Sequence, residues 1–175
     1  MDKKELRKIV KSADLSKKYI SPASHIIQNR VISSDVFKRS HSVFVYVSTE
    51  REPATDMIIE AALSSGKRVC VPKCKADRTM IAVEISDLSQ LKVGCFGIRE
   101  SVSDKEEESN FDLCIIPCVA ASSDGRRLGH GGGYYDKFLE NSDTYKMCLC
   151  FGRNVVEDIP VSEHDIKMDE IVTEQ

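Results

Sequence analysis

The chain has no apolar run of membrane-spanning length, no basic run of nucleic-acid-binding density and no Cys-x-x-Cys pair. The first absence leaves no candidate for a membrane helix, which needs about 20 consecutive apolar residues. The second argues against a nucleic-acid partner, because 25 Lys and Arg are interspersed with 28 Asp and Glu for a net charge of −3. The cysteines number seven, and the pairs Cys70/Cys74 and Cys114/Cys118 have no neighbouring His, so a zinc site has little support. Cys70, Cys114, Cys148 and Cys150 instead sit in apolar, strand-like runs, as expected of reduced thiols packed as small hydrophobes. A reducing compartment follows, and a soluble cytoplasmic protein is expected. The amino-terminal segment is charged and reads as a helix rather than a signal peptide. With 175 residues, 41% apolar and 30% charged, and no internal repeat, residues 1–175 read as a single globular domain.

Apolar periodicity alternates between strand and helix along the chain. Leu6, Ile9 and Val10 recur at helical spacing within residues 2–18. Pro22 suits the first turn of a second helix that runs on through Ile27 and Val31 to Phe37. Ser42 to Ser48 is β-branched and aromatic, like a strand covered on both faces. A helical stretch from Ala54 to Ser65, stopped by Gly66, leads to a second strand, Arg68 to Pro72, and so to a β-α-β unit. An edge strand is expected at Thr79–Ile85, further strands at Phe111–Pro117 and, buried, at Met147–Gly152, and a last strand at Ile171–Thr173. The fold class is therefore α/β: one three-layer domain with a mostly parallel, Rossmann-like sheet flanked by helices. Ligands in such sheets sit at the carboxyl ends of the strands, where Glu50 and Glu52 follow the first strand and Lys73 the second.

Four of the nine glycines fall in the five residues Gly129 to Gly133, just before the helix-like Tyr134-Tyr135-Asp136-Lys137-Phe138-Leu139. Glycine permits positive φ and close approach of the backbone to a ligand. A Gly-rich turn entering a helix gathers free N–H groups, which suits a phosphate. Arg126 and Arg127 add planar cationic forks, and Asp136 adds a hard oxygen of the kind Mg²⁺ prefers. The segment is neither a Walker loop nor a G-x-G-x-x-G fingerprint, so on spacing alone a flexible loop remains open beside a phosphate site.

Arg127 to Asp136, Arg-Leu-Gly-x-Gly-x-Gly-Tyr-Tyr-Asp, resembles the signature of the 5-formyltetrahydrofolate cyclo-ligases, and looser likenesses extend over nearly the whole chain. The resemblance implies ATP binding by Arg127, Leu128, Gly129, His130, Gly131, Gly132, Gly133, Tyr134 and Tyr135. It adds Lys3 and Arg7 as phosphate contacts from the Lys3-Lys4-Glu5-Leu6-Arg7 segment. Glu52 is implied to bind the pteridine of folate and Val47 to contact it, with Tyr134 also against substrate. The Gly94-Cys95-Phe96-Gly97-Ile98-Arg99-Glu100 segment resembles the family's stretch that approaches folate, and places Phe96 where it could stack on a flat ring. The ending from Pro160 to Asp169 implies Asp165 as the second Mg²⁺ carboxylate beside Asp136. Two departures stand out. Relatives carry Phe-Asp where this chain has Ala121-Ser122, and His130 occupies a position often filled by Arg, Lys or an aromatic. An imidazole there could act as a cation or a donor.

The implied reaction is the ATP- and Mg²⁺-dependent cyclisation of 5-formyltetrahydrofolate to 5,10-methenyltetrahydrofolate, with Arg127 and Asp136 as catalytic residues. The implied partners are reduced folate and ATP, with a monomer as the working unit. No general base or covalent nucleophile is evident, and phosphoryl transfer requires mainly positioning and charge neutralisation. Two alternatives remain at this point: a nucleotide- or folate-binding module without turnover, and a sugar-phosphate isomerase-like enzyme on a similar sheet.

Overall fold

The computed structural model describes residues 1–12, 16–94 and 97–175. Helix α1 (Lys3–Ser12) buries Leu6 and Val10 and turns its charges outward. Asp2 starts it, its side chain accepting from the Glu5 N–H at 2.8 Å. Of the rest of the expected first helix, residues 13–15 lie outside the described residues, and Lys17 and Lys18 already belong to the next helix. Helix α2 (Lys17–Ser33) contains Pro22 in its interior rather than in its first turn. Burial of Ala23, Ile27 and Val31 against the sheet outweighs the one hydrogen bond that proline removes. The run does not continue unbroken to Phe37. Ser34 interrupts it, its hydroxyl accepting from the Phe37 N–H at 3.2 Å to cap α3 (Asp35–Arg39).

Next come β1 (Ser42–Val45), α4 (Asp56–Ser64) and β2 (Arg68–Cys74). Gly66 ends α4 at φ +73°, with Lys67 N–H donating to Ala62 O at 3.0 Å and Gly66 N–H to Leu63 O at 3.0 Å. That is a Schellman closure. β3 (Met80–Ile85), a 3-10 turn at Leu88–Gln90 and the hairpin of β4 (Leu91–Val93) and β5 (Arg99–Ser101) follow. The chain then forms β6 (Leu113–Pro117), the short hairpin of β7 (Ala120–Ala121) and β8 (Arg127–Leu128), α5 (Tyr134–Leu139), β9 (Tyr145–Leu149) and β10 (Glu170–Val172).

The six-stranded sheet has the order β10-β9-β6-β1-β2-β3. All its pairings are parallel except β2 with β3, so the edge strand expected at Thr79–Ile85 is present and runs antiparallel. The chain leaves β1 for β2 on one side and later returns to place β6 on the other. The gap between β1 and β6 is thus the topological switch point, where a crevice opens at the carboxyl ends. The period-2 pleat sorts the strands onto two faces. Val43, Val45, Leu113, Ile115, Met147 and Leu149 meet α2, α3 and α4. Phe44, Cys70, Cys114, Ile116 and Cys148 meet Leu139 and Phe138 of α5, Phe111 and Met168. Phe44 and Phe138 stack with ring centres 4.5 Å apart. Three layers result, and the thiols of Cys70, Cys114, Cys118, Cys148 and Cys150 are buried within them.

Among the described residues, Ala121 and Ser122 leave no buried side-chain polar atom of their own unpaired. Ala121 is fully buried and pairs with Arg127 across the hairpin. Ser122 Oγ donates to Asp124 Oδ1 at 2.6 Å, and its N–H donates to Arg126 O at 2.9 Å. Gly125 completes the turn at φ +91°, and a Cβ there would stand 2.5 Å from Met168 O. In return, Met168 N–H donates to Gly125 O at 2.9 Å, which draws the segment before β10 onto the hairpin. Gly125→Ala should therefore cost about 2 kcal/mol or more in a urea titration. Gly66→Ala, at φ +73° with open space around the new methyl, should cost only the backbone strain of about 1 kcal/mol. Equal losses would show that the Met168 contact is immaterial.

Candidate active site

A cavity of about 520 Å³ lies at the switch point, reached by Tyr46 and Val47 just past β1 and by Pro117 at the end of β6. Every described residue that the family resemblance implies lines it: Lys3, Arg7, Val47, Glu52, Arg127, Leu128, Gly129, His130, Gly131, Gly132, Gly133, Tyr134, Tyr135, Asp136 and Asp165. Phe96 lies outside the described residues. Two residues that resembled anion ligands point elsewhere. Lys73 Nζ donates to Ser101 O and Ser103 O, both at 2.9 Å, and pairs with Asp104 at 2.6 Å, so it anchors the connection after β5. Arg126 is held by Asp124 at 2.8 Å and by Asp158, which braces the hairpin turn.

One wall is cationic and built on the glycine turn. The Arg127 side chain is only 3% exposed. Its Nη1 donates to Pro117 O at 3.2 Å and its Nη2 to Asp136 Oδ1 at 2.9 Å, while its Nε has no partner among the described residues. Its guanidinium lies 5.7 Å from the centre of the Tyr135 ring, a cation–π contact. Arg7 reaches across from α1, donating from Nε to Gly129 O at 2.7 Å. Gly131 adopts φ +105°, and a Cβ there would meet the Arg7 guanidinium at 3.4 Å. The positive φ is what requires glycine here, since the contact with Arg7 would be an ordinary van der Waals one. Lys3 at the start of α1 pairs with Asp165, whose carboxylate also accepts from Ser162 N–H at 2.6 Å and Ser162 Oγ at 3.0 Å. Burial works to raise the Asp165 pKa, but Lys3 and Ser162 outweigh it and hold the group below the usual aspartate value.

The opposite wall is apolar, formed by Val47, Pro72, Met80 and Ile98, with Glu100 at its rim and Glu52 as its buried carboxylate. Glu52 Oε2 accepts from Thr49 N–H at 2.8 Å and Thr49 Oγ1 at 2.9 Å, and Oε1 meets His130 Nε2 at 3.1 Å. Burial pushes the Glu52 pKa up, yet the bonds from His130 and Thr49 prevail and keep it ionised at neutral pH. Thr49 escaped the sequence reading. Its position three residues before Glu52, with its N–H donating to the Glu52 side chain, is the capping-box spacing. Burial, and then the Glu52 charge, raise the Tyr135 hydroxyl well above the ordinary phenol value, so it stays a neutral donor. Tyr46 is buried and donates to Pro53 O at 2.6 Å, supporting the floor.

Asp136 and Asp165 both line this cavity, and each commits one oxygen to the protein. Asp136 Oδ1 accepts from Arg127 and from Ile166 N–H at 3.2 Å, and Asp165 Oδ2 takes Lys3 and Ser162. Asp136 Oδ2 and Asp165 Oδ1 accept no hydrogen bond among the described residues. No cluster of three or more potential protein ligands occurs among the described residues. Two hard oxygens without a full cage match the habit of Mg²⁺, which takes one or two carboxylates and completes its shell with phosphate and water. No described helix is long and apolar enough to cross a membrane.

Comparison with known proteins follows this geometry closely. The family model described as the 5-formyltetrahydrofolate cyclo-ligase family matches residues 1–174. A probable 5-formyltetrahydrofolate cyclo-ligase of Caenorhabditis elegans is 34% identical over 191 residues, covering 98% of this chain and 92% of the relative. The 5-formyltetrahydrofolate cyclo-ligase of Escherichia coli K12 is 33% identical over 142 residues, covering 77% of this chain and 78% of its own. Among solved structures, the 5,10-methenyltetrahydrofolate synthetase of Aquifex aeolicus superposes with a TM-score of 0.87 at 30% identity, over 100% of this chain and 91% of that one. With its signature loop, its strand-end cavity and its near-complete match, the chain belongs to the 5-formyltetrahydrofolate cyclo-ligase family.

Proposed function

We propose that this chain cyclises 5-formyltetrahydrofolate to 5,10-methenyltetrahydrofolate, consuming ATP and releasing ADP and phosphate. The observation that carries this reading is the meeting, in one cavity, of a cationic wall built on the glycine turn and an apolar wall with a buried carboxylate. The formyl oxygen is a poor leaving group as an amide. It attacks the γ-phosphorus of ATP and ADP departs. The nitrogen at position 10 then adds to the formyl carbon and loses its proton, and the carbon–oxygen bond breaks as phosphate leaves. These steps require orientation and charge neutralisation rather than a covalent nucleophile.

The residues divide that work. Lys3, Arg7, Arg127 and the backbone N–H groups of Gly129–Gly133 receive the phosphates. Glu52, ionised and fixed by Thr49, accepts from the N–H groups of the pteridine, while Val47, Tyr134 and the apolar wall hold its flat ring. Asp136 and Asp165 are the carboxylates that would hold Mg²⁺, which supplies further neutralisation of phosphate charge. The buried thiols support a reducing compartment, the cytoplasm. The Ala121-Ser122 segment no longer favours a module without turnover, since Ser122 and Asp124 complete the hairpin. Family membership displaces the isomerase-like alternative.

The first test is the near-ultraviolet absorbance of the methenyl product on mixing the protein with 5-formyltetrahydrofolate, Mg²⁺ and ATP, with ATP omitted as the control. Asp136→Asn and Arg127→Ala should each lose at least about 10²-fold in turnover while circular dichroism shows them folded. Full activity in either would refute the role assigned to that residue. A second expectation concerns docking of α1. The pairing of Asp165 with Lys3 contributes stability above the ordinary aspartate value of about 4, and that contribution is lost as pH falls through the lowered value in the folded chain. Amide exchange of α1, corrected for intrinsic rate, should accelerate on acidification below pH ~4, whereas in Lys3→Met it should be fast already at neutral pH. A pH-independent exchange rate in the unaltered protein would rule out this tether.

A further inference from the structure

The contact between His130 and Glu52 ties the glycine turn to the apolar wall across 78 positions of sequence. Glu52 is ionised, and its side chain is only 10% exposed. A charge so placed is tolerated only when it is well hydrogen-bonded. Its Oε2 already accepts two bonds, from Thr49 N–H at 2.8 Å and from Thr49 Oγ1 at 2.9 Å. Its Oε1 accepts one, from His130 Nε2 at 3.1 Å. An ionised carboxylate has no hydrogen to give, so Nε2 is the donor whatever the charge of the ring. A carboxylate offers about four acceptor sites, and a single one is left open.

That count sets a condition on the substrate. On the proposed reading, the pteridine brings Glu52 the N–H groups of its amino substituent and of the adjacent ring nitrogen. One open site cannot take both, so one of the existing bonds must yield. The Thr49 donors stand three residues from Glu52 in the same turn and move with it. His130 comes from a distant loop and its side chain is 55% exposed. Glu52 is the only hydrogen-bond partner of its ring among the described residues. The bond from His130 is therefore the one that breaks. The other cations of the cavity do not take its place at Glu52, because Lys3 is held by Asp165, Arg7 by Gly129 O and Arg127 by Asp136.

From this we infer that His130 is a positioning residue that occupies the place of the pteridine on Glu52 in the free protein, and that its release couples folate binding to nucleotide binding. The inference rests on the proposed reading of the cavity, with the pteridine at Glu52 and the phosphates along the glycine turn. His130 belongs to that turn, between Gly129 and Gly131, so a phosphate lying there is the nearest new acceptor for its ring. The exchange replaces one charged acceptor by another. Nucleotide bound first draws His130 away and opens Oε1. Folate bound first frees His130 for the phosphate. Each ligand removes a contact that the other would otherwise have to break, and the coupling is reciprocal by thermodynamic necessity.

The test is calorimetric titration of 5-formyltetrahydrofolate with and without the β,γ-methylene analogue of ATP, which permits no phosphoryl transfer, in the unaltered protein and in His130→Ala. The unaltered protein should bind the folate about tenfold more tightly when the analogue is present. Without nucleotide, His130→Ala should bind it about tenfold more tightly than the unaltered protein does, and the analogue should then add nothing. A residue that merely supported the loop would weaken folate binding on removal, so the sign of the change separates the two roles. Equal folate affinity with and without the analogue in the unaltered protein overturns the inference, and so does weaker folate binding by His130→Ala. Either result leaves the proposed reaction standing. Absence of methenyl product from 5-formyltetrahydrofolate and ATP defeats that reaction instead, and the titrations still decide the part played by His130.

Discussion

Placing a guanidinium in the interior is the constraint around which the active-site half of this molecule is arranged. A buried charge is tolerated only when it is paired and hydrogen-bonded. Arg127 meets that demand by drawing three separate pieces of chain together: the last carbonyl of β6, the carboxylate of Asp136 in α5 and the Tyr135 ring beneath it. The turn between Arg127 and Asp136 must then span a fixed, short gap. That explains why it is made of glycines whose conformations other residues avoid. The same turn receives Arg7 and so fixes where α1 lies. Sheet, loop and helix are in register because one side chain must not be left unpaired.

In the free protein two cations of the cavity are held by carboxylates of the same cavity, Arg127 by Asp136 and Lys3 by Asp165, while Arg7 is held by the Gly129 carbonyl. The site is therefore close to electrically balanced before anything binds. On the proposed reading, an incoming polyphosphate, and a pteridine with its N–H groups, would exchange partners with these pairs rather than create isolated charge. Such an exchange limits the desolvation that a site of unpaired lysines and arginines would suffer in waiting. It also keeps the donors oriented before the reaction, which is where electrostatic catalysis derives its advantage.

Much of this was legible from residues alone, and the reasons are local. The signature from Arg127 to Asp136 is contiguous, so its geometry is carried by neighbours in sequence. The buried strands announced themselves through unbroken apolar runs, and Gly66 marked the stop of α4. What escaped depends on contacts between distant segments. Lys73 and Arg126 looked like free anion ligands because nothing local shows that Asp104 and Asp158 claim them. Pro22 suggested a helix start, but tertiary burial of Ala23, Ile27 and Val31 carries α2 through it. Thr49 is an ordinary polar residue in sequence, and only the parallel pairing of β1 with β6 brings its loop to the end of the sheet where the glycine turn lies.

The Lys3–Asp165 contact joins residues 162 positions apart, and Met168 beside it is bonded to the central hairpin. The machinery is thus closed by the two extremities of the described chain rather than by its middle. During synthesis, the β1–α4–β2 unit and even the glycine turn can form while the residues that complete the anion site are still unmade. Contacts of such long range form late because loop closure must precede them. A nascent or clipped chain would then hold a nearly complete sheet yet remain chemically silent, and competence to handle ATP would arrive as a final event, with the last strand at the sheet's edge.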